Sequence, residues 1–294
     1  MSQNGFQGHQ KYLTLYKMDT RFWGPSGWRL LHLITWNAAD LPKKHYDNFM
    51  RYLPYVLPCK YCRASLTDYL QADPIPINPR DAPQWMYRIH NCVNNKLRDQ
   101  KLLETQNPSW DVVNKLYTSI NKAPCTKQHM VGWDFLFSVA YTIPGKNVSS
   151  SPMPNAPPIS ALKTPELRNR WSVISRAERL HFIDAWWDTI EHVLPYQEWR
   201  NSWKAVPPRP KAAQGRDAMT KWLYAAEKAV CASLKSTTPH TTYTGLCSEL
   251  NTFSSGCGKS RNLKMKTCRA TKTKARHTLK RRRRTSYKAT GGYL

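Results

Sequence analysis

The sequence has no membrane-spanning run: nowhere in its 294 residues is there anything approaching the ~18 consecutive apolar residues that a transmembrane helix needs. It also lacks a basic segment running into an apolar one near the N-terminus, so a soluble chain made in the cytosol and not secreted is expected. The Asn147-Val148-Ser149 glycosylation pattern is then a chance match. Alternating apolar and polar positions, the mark of half-buried strands, are missing, and no internal repeat stands out in the periodicity. Acidic residues stop at Glu249. Beyond it lie Lys259, Arg261, Lys264, Lys266, Arg269, Lys272, Lys274, Arg276, Lys280, Arg281, Arg282, Arg283, Arg284 and Lys288, which carry about half of the formal charge of +26. Such a segment cannot bury enough apolar surface to fold, and residues 241–294 are expected to form a disordered basic tail.

In place of these features the chain has 12 Trp and 15 Tyr among scattered Leu, Ile and Val, the composition of folded, aromatic-rich helices. Apolar spacing predicts helices over 26–39, 44–57, 59–71, 82–103 and 109–120, divided by connectors such as Asp73-Pro74-Ile75-Pro76-Ile77-Asn78-Pro79. A further apolar helix at 132–141 precedes a Pro/Ser/Asn-rich stretch at 147–160. Helices then resume from Pro165, with one over 176–194, where Leu180, Ile183, Trp187, Ile190 and Leu194 share a face, and others over 197–205 and 216–234. The fold class is all-α, with domains expected at 1–128 and 129–240. The Trp186-Trp187 pair and the aromatics of 135–141 are expected to serve as core or dimer surface.

Cys59-Lys60-Tyr61-Cys62 opens one of these helices, and a helix N-terminus and nearby cations favour a thiolate there. Downstream, His90, Asn94 and Leu97 fall at i, i+4 and i+7, which puts an imidazole, an amide and an apolar contact on one face, suited to a flat ligand with a polar edge. Two other readings use the same cysteines. With His90 and Cys92 they supply four zinc ligands, as in a zinc-stabilised nucleic-acid-binding protein that works through its basic tail. A thioredoxin-like dithiol is the other, although there the motif follows a strand. The pairs are far apart for a small zinc finger, and zinc leaves Trp23-Gly24-Pro25 and His32 unexplained.

Trp23-Gly24-Pro25-Ser26-Gly27-Trp28-Arg29-Leu30-Leu31-His32, then Leu57-Pro58-Cys59-Lys60-Tyr61-Cys62, then Trp85 with His90-Asn91-Cys92-Val93-Asn94-Asn95-Lys96-Leu97, resemble in order and spacing the Erv/ALR family of FAD-linked sulfhydryl oxidases. The likeness covers about 21–120 and is strongest to the versions encoded by large DNA viruses. It implies a four-helix bundle that binds FAD, usually as a homodimer, and a thiol oxidase that makes disulfides in protein substrates and passes electrons to oxygen, giving hydrogen peroxide. Host cytoplasm, a viral factory or the virion would be its place.

Carried over by position, Cys59 is the outer sulfur attacked by substrate thiols and Cys62 the sulfur against the flavin. Trp28 and His32 line the flavin, while His90, Asn91 and Asn94 hold its ring and adenine portions. Gly24, Trp36, Val93 and Tyr117 complete the cofactor set. Asp99 stands where the family has a Lys, which leaves a phosphate contact to Lys96 or Lys101. The family often relays electrons through a second cysteine pair, for which Cys247 and Cys257 are the candidates; Cys92 is expected to be a buried free thiol. The run Lys280–Arg284 suits nonspecific nucleic-acid binding, nuclear targeting or attraction of acidic substrates.

Overall fold

The computed structural model describes residues 18–146 and 151–254. Thirteen α-helices account for most of them, and no strand occurs among the described residues. The first unit comprises α1 (Thr20–Trp36), α2 (Lys43–Val56), α3 (Lys60–Ala72), α4 (Ala82–Asp99) and α5 (Trp110–Lys122). A short α6 (Pro124–Gln128) leads to α7 (Trp133–Tyr141), α8 (Pro165–Arg170), α9 (Arg176–Trp187), α10 (Ile190–Val193), α11 (Gln197–Trp203), α12 (Arg216–Ser233) and α13 (Tyr243–Ser254).

Local chemistry sets the boundaries. Asp19 caps α1 by accepting the Arg21 N–H at 2.9 Å, so the helix begins six residues before the expected Ser26 and carries Pro25 within it. Ser109 caps α5, and α9 opens with a capping box in which Ser175 and Glu178 exchange side-chain and backbone bonds. The helix expected over 176–194 is interrupted at Asp188 and Thr189, where the Thr189 hydroxyl donates to the Trp186 carbonyl at 2.6 Å.

Helix α1 lies at the centre, packed on α4 and α5 on one side and on α7 on the other, while α2 packs along α9. These contacts join the two units in one continuous core containing Leu30, Phe49, Phe135, Trp186, Trp199 and Leu223. The second unit extends past the expected limit at residue 240: Tyr243–Ser254 is helical and buries Leu246 and Leu250, and Phe253 stacks on Phe22 of α1 at 4.6 Å. The expected tail therefore begins later than residue 241, and residues 255–294, with Cys257 and the basic run, lie outside the described residues.

Candidate active site

Cys59 is the N-cap of α3 and Cys62 sits in its first turn, so both cysteines lie at the end of the helix where backbone N–H groups have no intrahelical partner. Both are present as thiols, with Cys59 buried and Cys62 half-buried. The Cys62 thiol is pushed well up by its hydrogen bond to Cys59 and then by burial, while Lys96 and Arg63 pull the other way. In the reduced pair, a proton is thus kept on Cys62. Arg63 is itself buried and is held by donating to the Leu57 carbonyl at 3.0 Å. Lys96 donates to Ser65 Oγ at 2.5 Å, which fixes its ammonium on the dithiol side of α4.

A cluster of rings stands between α1, α4 and α5. His32 and His90, both fully buried, share a hydrogen bond of 2.9 Å between Nε2 and Nδ1. Trp28 stacks on His90 with centroids 3.8 Å apart and planes 9° apart. Tyr117 lies 4.7 Å from His32 and 4.8 Å from Trp36, and Trp110 closes the outer side 5.6 Å from Trp36. Burial lowers the pKa of His32 to about 3 and, with His32 next to it, pushes that of His90 well down, so both imidazoles are neutral. A neutral pair can share one proton as donor and acceptor.

Asn94 is also buried and donates to Asn107 Oδ1 at 3.2 Å, which ties α4 to the loop before α5. Asn91 and Val93 are half-buried beside it. At Gly24 on α1, an added Cβ would meet nothing within 4 Å. Cys247 is half-buried on α13, in a helix where a flexible loop was expected, and its proposed partner Cys257 is outside the described residues. Cys92 lies half-buried near Asp73 and Arg88. His90 is bound to His32 and stacked on Trp28, which takes it away from any Cys59–Cys62–Cys92 ligand set, and the described residues contain no group of three or more His, Cys, Asp or Glu able to hold a metal.

Sequence reasoning missed Arg63, Ser65 and the 151–152 segment. Lys60 donates from Nζ to the Ser151 carbonyl at 3.0 Å, to Ser151 Oγ at 2.9 Å and to the Pro152 carbonyl at 3.3 Å, so one of the two residues between the cysteines is tied to a part of the chain distant in sequence. Helix α8 reinforces this cover: Asn169 donates to the Pro54 carbonyl at 3.2 Å and Arg170 pairs with Asp68 at 3.0 Å.

A dithiol at a helix N-terminus, flanked by two cations and set in an all-α bundle with a cluster of neutral rings, defines a helical dithiol oxidoreductase whose rings suit a flat aromatic cofactor. The profile of the Erv1 / Alr family matches residues 25–115, which hold every one of these groups except Tyr117. An FAD-linked sulfhydryl oxidase of African swine fever virus (isolate Warthog/Namibia/Wart80/1980) is 34% identical over 100 residues, covering 32% of this chain and 79% of the viral protein. The mitochondrial FAD-linked sulfhydryl oxidase ERV1 of Saccharomyces cerevisiae is 27% identical over 99 residues, 32% of this chain and 52% of the yeast protein. The probable FAD-linked sulfhydryl oxidase R368 of Acanthamoeba polyphaga mimivirus is 31% identical over 85 residues, 26% of this chain and 59% of its own length. No solved structure matches the chain. The chain belongs to the Erv1 / Alr family.

Proposed function

We infer that this chain is an FAD-dependent thiol oxidase that generates disulfide bonds, with Cys59 and Cys62 as its redox pair. The observation that carries the reading is that α4 holds both His90, in the neutral Trp28·His90·His32 stack, and Lys96, which bonds to Ser65 of the dithiol helix and acts on Cys62. These residues fit FAD: uncharged stacked rings suit a flat heteroaromatic, and the Asn94 amide and the imidazoles suit its polar edge. When bound, FAD accepts the electron pair from the dithiol, and oxygen takes it on as hydrogen peroxide.

The residues of the chain account for the thiol chemistry. A substrate thiolate attacks the Cys59 sulfur of the oxidised pair, forming a mixed disulfide and expelling Cys62 as a thiolate. Lys96 and Arg63 lower the energy of that thiolate, the leaving group of the step. A second substrate thiolate then attacks the substrate sulfur of the mixed disulfide and frees Cys59, so that two thiols become one disulfide and the active pair is left reduced. Cys59 is buried and its neighbour Lys60 is bound to Ser151 and Pro152, so release of Lys60 is the local change expected to open the outer sulfur to a protein thiol.

Thiol-bearing proteins and oxygen are the partners this chemistry requires. The basic residues beyond Glu249 add a salt-sensitive attraction to polyanions such as nucleic acid. No helix among the described residues is long and apolar enough to cross a membrane.

The test is an absorption spectrum of the purified chain during partial reduction. Flavin bands are expected, with an added long-wavelength absorption that Cys62→Ser abolishes and Cys59→Ser retains. A folded but colourless protein that takes up no added FAD would overturn the reading.

A further inference from the structure

The second unit repeats the first. Gly27-Trp28 of α1 returns as Gly132-Trp133 at the start of α7, and Val56-Leu57-Pro58 before the dithiol returns as Val193-Leu194-Pro195. Trp85-Met86-Tyr87 of α4 returns as Trp222-Leu223-Tyr224 of α12. Helices α4 and α12 are each 18 residues long, and each follows a short 3-10 turn, Pro79–Asp81 and Ala212–Gln214. Cys59 caps α3 in extended conformation and Tyr196 caps α11 in the same way. Arg63 donates to the Leu57 carbonyl at 3.0 Å, and its counterpart Arg200 donates to the Leu194 carbonyl at 2.6 Å. Ser109 and Thr242 cap α5 and α13 through a bond to the N–H three residues on, and the buried pairs Val113/Tyr117 and Leu246/Leu250 fall in the same register.

The contact between the units has the signature of a two-fold axis, in which residue i meets the counterpart of j and j meets the counterpart of i. At the α1–α7 crossing, Gly27 lies against Phe135 and Gly132 lies against Leu30, where Phe135 and Leu30 are equivalent positions. Along α2 and α9, His45 meets His192 at 3.8 Å while Tyr55 meets Phe182 at 3.9 Å, the reciprocal pair. Phe49 stacks at 5.1 Å on Trp186, its own counterpart, as a residue on the axis must.

We propose that residues 132–254 are a degenerate second copy of the oxidase unit, packed on the first across a pseudo-two-fold axis, so that the chain carries its own partner and works as a monomer with a single redox centre. The second copy has lost the chemistry. Tyr196 and the fully buried Trp199 replace Cys59 and Cys62, and Phe137 and Glu227 replace His32 and His90. His240 fills the space left, 4.9 Å edge-on to Phe137 and 2.7 Å from Glu227. Leu30 and Phe49 are wholly buried between the copies, so the α1–α2 face is closed to a second chain, and the homodimer expected from the family resemblance is replaced by this internal pairing.

The pairing goes beyond the oxidase reading, and two of its three measurements read it without the cofactor. Sedimentation equilibrium of the full chain over a wide concentration range should give 34.1 kDa throughout. Titration of bound flavin should give one per chain. A stable species of twice the mass, or two flavins per chain, would overturn the proposal. The variant His45→Cys/His192→Cys, at half-buried positions away from the dithiol, should form an intrachain cross-link that keeps the monomer mass on a non-reducing gel and changes its mobility. A dominant band of doubled mass would refute it.

Discussion

Gly132 should be the glycine that tolerates a methyl group least. It is the N-cap of α7 with φ 98° and ψ 1°, a left-handed conformation that costs an alanine about 1–2 kcal/mol. A Cβ there would also sit 2.6 Å from Leu30 Cδ2 and 2.9 Å from Leu30 Cβ. The Cδ2 methyl can rotate away, but the Cβ is fixed to α1, so the helices must part, which adds roughly 1–3 kcal/mol of overpacking. Gly132→Ala should therefore destabilise the fold by about 2–5 kcal/mol. Leu30→Ala alone opens a cavity and costs about 2–5 kcal/mol; it removes the Cδ2 and Cγ contacts of the new methyl but keeps the Cβ contact at 2.9 Å. In the double variant the backbone penalty and the Cβ contact should remain while the Cδ2 and Cγ clashes are relieved, giving a coupling of about 0.5–2 kcal/mol in a double-mutant cycle. Urea unfolding followed by circular dichroism and tryptophan fluorescence, with coincident transitions, measures all four corners of the cycle. A cost below about 1 kcal/mol for Gly132→Ala, or strict additivity with Leu30→Ala, would refute the close approach of α1 to α7.

Three other predictions concern titration and access. His32 stays neutral when folded, with a pKa of about 3, but takes up a proton near pH 6.5 once unfolded, so its contribution is present above pH 6.5 and is lost as pH falls towards 3. His32→Phe, which copies Phe137, should spare the cofactor-free protein about 2 kcal/mol of acid destabilisation at pH 5; an unchanged slope of unfolding free energy against pH would contradict the burial of a neutral ring. His240 behaves oppositely: burial lowers its pKa, but the bond it donates to Glu227 and the nearby Asp134 and Glu249 raise it on balance. Its contribution is complete below pH 6.5 and is lost as pH rises through the folded pKa, so Glu227→Gln should cost more stability at pH 6 than at pH 9, and a cost independent of pH would refute the pairing. Lys60→Met breaks the bonds to Ser151 and Pro152 and should raise kcat/KM for a reduced protein about fivefold more than for a small dithiol, a gain worth about one hydrogen bond. An equal change for both substrates would show instead that only the charge beside Cys59 had mattered.

Much of the first unit was legible because its signals are local. Caps, prolines and apolar spacing mark α2, α3, α4 and α5 to within a few residues, and the three motifs named Cys59, Cys62, Trp28, His32 and His90 before any contact was known. Their pairing was not legible. That His32 bonds to His90 across 58 positions depends on α1 and α4 packing side by side, and the Lys96–Ser65 and Lys60–Ser151 bonds depend on α3 being covered from both sides. Helix α13 was hidden because Gly245 and several Ser and Thr dilute its apolar pattern, although Thr242 followed by Leu246 and Leu250 is a cap before an i, i+4 pair. The repeat escaped notice because it survives as shape more than as residues. The connection between α1 and α2 is short, whereas that between α7 and α9 carries α8 and a long irregular stretch, which breaks any constant period.

What the second unit kept and what it lost follow from different constraints. Residues on an isologous contact are held from both sides: a larger residue at Gly132 strikes Leu30, and one at Gly27 strikes Phe135, so neither helix can drift alone. Framework bonds such as Arg200 to Leu194 hold the turn that presents α11 and have the same reason to persist as Arg63 to Leu57. The dithiol and the histidines have no such support. A buried imidazole pair costs desolvation and returns little stability of its own, so once one copy supplies the chemistry, aromatic packing at the equivalent positions is the more stable choice. Trp199 shows how far this has gone: it is fully buried, donates to the Lys127 carbonyl at 2.9 Å and stands where Cys62 stands in the first unit. Replacing it by a cysteine would cost about 3–5 kcal/mol of packing before any redox function was regained. The two units are therefore no longer interchangeable: the first carries the reaction, and the second is committed to holding the face of α1 and α2 closed.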